Sequence, residues 1–292
     1  MWILFTLFYG LCKGGREIVK KLAMNKSTVM EVLLMYTLFA FVMVLPEATV
    51  SGGLNGKFYL LIALKSFVIF IAWICSFKAL KKMPISLYGI LDLSRVLFAT
   101  LLAVCVLHET LSLSQIIGLS LVCLGLLMLK FNKKKRSSKE SGQSQQSEQS
   151  EKLPFIYVIA AFISCLLNAV SGLMDKILMK EITSSQLQFW YMLFLLGYYV
   201  LYVIFTRTKI RLNVFKNGWI YLLALLFVLA DKALFLANGY SESKVTIMTL
   251  LKQSGCLVTI LGGKVVFKEK NISYKLFCAG VIILGIIVSV LH

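Results

Sequence analysis

Lys78 to Gly125 aligns without a gap on Asn238 to Gly285, at a constant offset of 160 residues. Under that offset Ser94 falls on Ser254, Phe98 on Val258, Glu109 on Glu269 and Gly125 on Gly285. A chain that repeats itself in this way is predicted to fold as two related units, and the almost purely apolar surroundings make those units membrane halves. Of the 292 residues 59% are hydrophobic and 15% charged, with a mean hydropathy of +0.85. A soluble chain carries about 25% charge, so water is not the predicted main solvent. Met1 to Cys12 has no basic stretch before it and no small-residue cleavage site after it, and is read as the first spanning helix and not as a removable signal peptide.

A bilayer core of about 30 Å needs roughly 20 residues at about 1.5 Å each. Ten apolar stretches fit, near Trp2 to Val19, Val29 to Pro46, Phe58 to Leu80, Ile85 to Leu107, Ser114 to Leu129, Pro154 to Ile177, Leu187 to Phe205, Gly218 to Gly239, Val245 to Phe267 and Leu276 to Leu291. They divide the chain into a first five-helix half (1–131), a linker (132–152) and a second half (153–292). The linker, NKKKRSSKESGQSQQSEQSEK, holds no apolar residue to bury and is predicted to be disordered. Corresponding helices lie five spans apart, an odd number, so they should run in opposite directions. The predicted fold class is all-α integral membrane: ten transmembrane helices in two inverted five-helix repeats.

A net charge of +18 raises the question of nucleic acid, but the basic residues are sorted by loop and not massed on one foldable domain. Nineteen follow odd-numbered spans, from Lys20, Lys21 and Lys26 through the linker to Lys268, Lys270 and Lys275; the other face has Lys57, Lys176, Lys180 and Lys244. This positive-inside bias places the odd loops in the cytoplasm, both termini outside, and the chain in a cell membrane as a multi-pass protein. No nucleic-acid partner is needed to explain the charge.

The seven cysteines sit singly in apolar stretches without a CxxC pair, and only His108 and His292 exist, so no histidine-based catalytic or zinc constellation can be assembled. No cofactor or metal is expected, and an enzyme is disfavoured.

Phe77 to Leu129 carries a short turn, a helix, the helix end Leu107, His108, Glu109, and then a glycine-spaced final helix. Leu236 to Leu291 repeats it, with Phe267, Lys268, Glu269 and Lys270 at the helix end. These segments resemble the second half of an EamA domain of the drug/metabolite transporter superfamily, and the resemblance extends over both halves. It implies two inverted five-helix EamA-type repeats, a substrate cavity lined by the first four helices of each, peripheral fifth and tenth helices, and export or exchange of small metabolites without ATP hydrolysis. Ser94 and Ser254 stand where the family commonly has proline, which argues against the usual kinks in the fourth and ninth spans. The family's ten-helix members generally have cytoplasmic termini; the loop charges here favour the opposite.

A charge inside a span costs about 2.5–3.5 kcal/mol on insertion scales unless it faces a cavity or a partner. Those within the spans are Lys13, Arg16, Glu17, Lys65, Lys78, Asp92, Arg95, Asp175, Asp231, Lys232, Lys252 and Lys264. Tyr88, Asp92, Arg95 and Ala99 recur at i, i+4, i+7 and i+11, a stripe expected to face inward, where Asp92 and Arg95 either neutralise one another or meet substrate. Asp92 coincides with Lys252 across the repeat, and the two are expected either to pair or to open around the carboxylate and ammonium of a zwitterion. Phe227, Asp231, Phe235 and Asn238 share another face, with Asp231 either paired to Lys232 or free to carry a proton. Glu17 reads as an interfacial cluster with Arg16 and Lys20 or as an embedded carboxylate, and Asp175 with Lys176 has the same two readings. Trp73 and Trp190 are the aromatic residues to inspect for cavity exposure. Asp92, Arg95, Asp231 and Lys252 are expected to converge near the bilayer midplane.

The expected activity is secondary transport of a small polar or amphipathic metabolite, with a lean to an amino acid or other zwitterion, by a monomer or homodimer in the lipid bilayer. The alternatives are a membrane enzyme acting on a lipid or headgroup and a non-transporting receptor or scaffold. The orientation has a direct check: single cysteines at Ser144 and beside His292, treated with an impermeant thiol reagent in intact cells, should react only beside His292.

Overall fold

The structure is a computed structural model that describes every residue except 93, 109, 138–154, 269–271 and 291–292. Glu109, Glu269 and most of the linker therefore lie outside the described residues. Those described form helices and short connections, with no strand among them. The first half contains α1 (Trp2–Lys26), α2 (Val29–Val44), α3 (Gly56–Lys82), α4 (Ile85–Asp92), α5 (Ser94–Leu107) and α6 (Leu113–Ser137). The second contains α7 (Phe155–Leu178), α8 (Ser184–Thr206), α9 (Gly218–Asn238), α10 (Val245–Leu251), α11 (Gly255–Val265) and α12 (Ile272–Val290).

Among the described residues five helices are long and apolar enough to cross a bilayer by length and composition: α2 with the 3-10 turn that follows it, α3, α7, α8 and α9. The charged residues of α1 account for its absence from this group despite its 25 residues. Two expectations are corrected. Helix α6 continues to Ser137, so the first six residues assigned to a disordered linker are helical. The ninth span also breaks without proline: Lys252–Ser254 tighten into a 3-10 turn between α10 and α11. There the Gln253 side-chain amide donates to the Thr249 carbonyl at 3.3 Å, giving that acceptor a partner beside the interruption.

Local chemistry starts the second helix of each half in the same way. Thr28 caps α2 and Glu31 bonds back to the Thr28 amide, while Thr183 and Gln186 form the same reciprocal box on α8. Each such cap contributes about 0.5–2 kcal/mol. His108 and Lys268, also 160 residues apart, both adopt left-handed backbone after α5 and α11.

Helix packing follows pairs in which corresponding elements exchange places. Helix α1 lies on α9 and α3 on α7; α1 also meets α11, as α7 meets α5; α2 contacts α9, as α8 contacts α3. Helices α6 and α12 pack on each other through Gly125 and Gly285. A Cβ at Gly125 would meet Ile282 and the Cys278 carbonyl, and one at Gly285 would meet Val122 and the Gly118 carbonyl, the same contacts shifted by 160 residues.

Polarity is inverted relative to a soluble protein. Leu60 is 72% exposed and Phe205 83%, whereas Lys65 is 2% exposed. Apolar outer faces require lipid, since water would charge about 25 cal/mol for each Å² left bare. Between the halves lies an aromatic core in which Phe227 meets Tyr36 and Trp73 edge-on at 5.6 and 5.0 Å, and Tyr36 stacks on Phe77 at 5.9 Å.

Helix α1 reaches the turn between α10 and α11 only because both surfaces lack side chains. A Cβ at Gly14 would stand 2.6 Å from Val258 Cβ and would overlap the Gly255 carbonyl, while one at Gly15 meets only Leu226 at 3.8 Å. Gly14→Ala is therefore expected to lower stability by about 1–3 kcal/mol through overpacking. Gly15→Ala should be neutral or stabilising by up to about 1 kcal/mol through helix propensity. Thermal unfolding of the two purified variants checks the contrast; equal shifts would exclude the close crossing.

Candidate functional site

Helix α1 supplies the site's backbone. Tyr9, Lys13, Arg16 and Lys20 recur at intervals of four, three and four residues, which puts them on one helical face with Glu17 beside them. That face lines a cavity of about 80 Å³, walled also by Tyr36, Lys65, Trp73, Tyr88, Arg95, Asp175, Tyr191, Phe227, Asp231, Asn238 and Lys252. Both halves contribute. The volume accommodates roughly five to eight water-sized spheres at about 10–15 Å³ each.

The charges of this region are joined mainly across helices distant in sequence. Lys13 Nζ donates to Asp92 Oδ2 at 2.6 Å, and Arg95 Nη2 donates to Asp92 Oδ1 at 2.7 Å. Arg16 Nη1 donates to Asp231 Oδ1 at 3.2 Å, linking α1 to α9. Lys65 Nζ stands 3.1 Å from Asp175 Oδ1, linking α3 to α7, but without hydrogen-bond alignment, and that oxygen has no other partner. Lys20 Nζ donates to Glu17 Oε1 at 2.6 Å within α1. Aromatic faces take up part of the remaining field: Lys65 Nζ is 3.5 Å from the Tyr191 ring centre and Lys20 Nζ 4.9 Å from that of Phe77. The Tyr9 ring has Arg16 Cζ and Lys252 Nζ each 5.5 Å from its centre. Such contacts stabilise a cation by about 0.5–2 kcal/mol.

Several expected residues come together. Arg95, Asp231, Lys252, Tyr88, Glu17, Asp175 and Trp73 all line the cavity. So do Ala99 from the α4–α5 stripe and all four residues of the α9 face, Phe227, Asp231, Phe235 and Asn238. Asp92 lines a smaller neighbouring cavity with Lys13, Gly14, Glu17 and Tyr88.

Other expectations are corrected. Asp92 pairs with Lys13 and Arg95 and not with its repeat counterpart Lys252, which makes no ion pair among the described residues. Asp231 bonds to Arg16, not to adjacent Lys232, because neighbours on a helix point to different faces; Lys232 reaches Glu47 at 2.8 Å. Lys20, counted above with a loop, is buried within α1. Lys176 leaves Asp175 for the end of α9, donating to the carbonyls of Asn238 and Tyr240 at 3.2 and 2.9 Å. Trp190 does not line the cavity: its Nε1 donates to the Ser51 carbonyl at 2.9 Å and its ring meets Tyr59 edge-on at 4.7 Å. The sequence reading placed Lys13 and Lys65 inside spans without assigning them to the site, and passed over Tyr9, Tyr36 and Tyr191. The α1 stripe was the available signal for Tyr9 and Lys13.

The cavity offers guanidinium and ammonium donors with aromatic walls, a set suited to a small charged organic molecule. Polar capacity is left over: Glu17 Oε2, Arg16 Nε, Arg95 Nε and Asn238 Nδ2 are buried without a hydrogen-bond partner among the described residues. In a native protein each such group calls for an explanation, and a ligand is one.

Breaking one of these buried pairs differs from removing it. Lys65→Met strands the Asp175 carboxylate and should cost about 3–5 kcal/mol, whereas Lys65→Met with Asp175→Leu should return to within about 1 kcal/mol of the parent or exceed it. Thermal or denaturant unfolding of the three variants provides the cycle; additive losses would show that the two groups are not coupled.

The EamA-like transporter family model matches residues 1–131. None of the curated proteins matches the sequence. A solved crystal structure that is 14% identical superposes with a TM-score of 0.68, covering 99% of this chain and 98% of its own. At that identity the likeness is one of fold, and it extends along the whole chain.

Proposed function

We propose that this chain, whose residues 1–131 match the EamA-like transporter family model, is a secondary transporter of the drug/metabolite type that carries a small charged metabolite through its central cavity. The observation that carries the reading is the enclosure of six basic and three acidic side chains, with an aromatic wall, between helices of both halves. Intramembrane ionisable groups that face a cavity mark a substrate path. The exchange of partners between corresponding helices supports two inverted five-helix units, ten spans in all, that rock about the site between them.

The loop charges support cytoplasmic odd loops and outward termini. Export or exchange is the expected direction. Asp175, whose Oδ1 lacks an aligned donor, is the carboxylate best placed to carry a coupled proton. A zwitterion was favoured from sequence because both signs of charge occur in the spans. The ion pairs weaken that preference, since each acid of the site is already held by a cation.

Counterflow in proteoliposomes tests the proposal, with compounds first selected by their stabilisation of the purified protein; saturation at 100 times Kd adds about 2.7 kcal/mol. The parent should exchange a stabilising compound. The neutral double variant Arg16→Met with Asp231→Leu should remain folded, as buried pairs replaced by apolar groups generally do, yet lose exchange. A parent that binds such a compound but never exchanges it would instead be a receptor.

A further inference from the structure

The cavity's charges do not balance. Lys13, Arg16, Lys20, Lys65, Arg95 and Lys252 line it, against Glu17, Asp175 and Asp231. Asp92 lies just behind, between Lys13 and Arg95, and serves both. Among the described residues six cations thus share four carboxylates, an excess of two positive charges in a site built between apolar helices. The excess can be located. Arg16 has Asp231, Lys20 has Glu17 and Lys65 has Asp175, so one unit lies in the Lys13, Asp92, Arg95 triad and the other on Lys252.

Lys252 is the least compensated of these. No carboxylate lies within ion-pair distance of it among the described residues; the face of Tyr9 stands 5.5 Å from ring centre to Nζ, and Asp175 and Asp231 act on it only from across the cavity. A neutral aromatic face softens the burial of an ammonium but does not cancel its charge. Lys252 begins the 3-10 turn between α10 and α11, and α10 packs against α5, the helix that carries Arg95. The two uncompensated positions are therefore brought to one cavity by adjoining elements.

We infer that the cavity binds an organic dianion, a phosphomonoester or dicarboxylate, whose anionic groups are held by Lys252 and by the Lys13 and Arg95 side of the triad while its carbon body lies on the aromatic wall of Tyr36, Trp73 and Phe227. This rests on the reading of the cavity as the transport site and names its substrate class. Two negative charges restore neutrality to the buried region. An added ammonium has no free carboxylate to meet and six cations to oppose it, so zwitterions and cations are disfavoured by the same count.

The test uses the full chain purified in detergent at constant ionic strength and near-neutral pH, with glycerol 3-phosphate and succinate as dianions, leucine as zwitterion and choline as cation. At least one dianion is expected to raise the unfolding temperature, whichever probe succeeds separating phosphate from carboxylate recognition, while leucine and choline leave it unchanged. Lys252→Gln should raise the Kd for that dianion by about tenfold or more, and Lys252→Arg should keep it within about threefold. Ligand-free Lys252→Gln should melt no lower than the parent, because it removes an uncompensated buried cation. Inert dianions, or a dianion affinity unchanged in Lys252→Gln, overturn the inference; should that variant fail to fold, the selectivity of the parent decides alone. Exchange of leucine or choline by a parent that ignores dianions would leave the transport reading standing and remove this one. Dianion binding without counterflow would do the reverse.

Discussion

Most of the charges that lipid separates from water in this chain find a counter-charge on another helix, and the packing is organised by those pairs. Moving an ion into a medium of low dielectric costs several kcal/mol even after relaxation, so apolar helices bearing Lys13, Arg16, Lys65, Asp92, Asp175 and Asp231 cannot be placed independently. Helix α1 must lie where Arg16 reaches Asp231 of α9 and Lys13 reaches Asp92 of α4. Helix α3 must lie where Lys65 reaches Asp175 of α7. These contacts fix which helices are neighbours; dispersion and the glycine crossings of Gly10 and Gly14 with Gly255 then set how closely they approach.

The same pairs relate the halves to one another. Helix α1 meets α9 with the cation on α1, while the corresponding contact of α7 with α3 places the acid on α7. The two contacts thus carry ion pairs of opposite sense. Gly125 and Gly285, where backbones touch, are identical across the offset, whereas Asp92 and Lys252, beside the cavity, differ in charge. In the proposed mechanism that asymmetry is what lets one cavity present an excess of positive charge.

Helix positions were legible because apolar length is a local property. The α4–α5 stripe of Tyr88, Asp92, Arg95 and Ala99 and the α9 face of Phe227, Asp231, Phe235 and Asn238 were legible because a period of 3.6 residues reports which side chains share a face. Partnership was not. Arg16 and Asp231 are 215 positions apart, and no periodicity tells a lysine at 252 that Asp92 will be taken by Lys13. Adjacent charges misled for the same reason: Asp231 and Lys232 are neighbours in the chain and face different helices. The break at Lys252–Ser254 has no proline to signal it in the sequence; the Gln253 side chain supplies a donor to the Thr249 carbonyl beside it.

The central claim is that the charged cavity between the halves is a passage open to each side of the membrane in turn. Asn168 lines that cavity from α7, and a cysteine there, on a background with the seven native cysteines replaced, reports its exposure. In right-side-out and inside-out vesicles the account predicts labelling of Asn168→Cys by an impermeant thiol reagent from both sides, with the balance shifted by a transported compound. Labelling from one side only, unchanged by any compound that the protein binds, would contradict it.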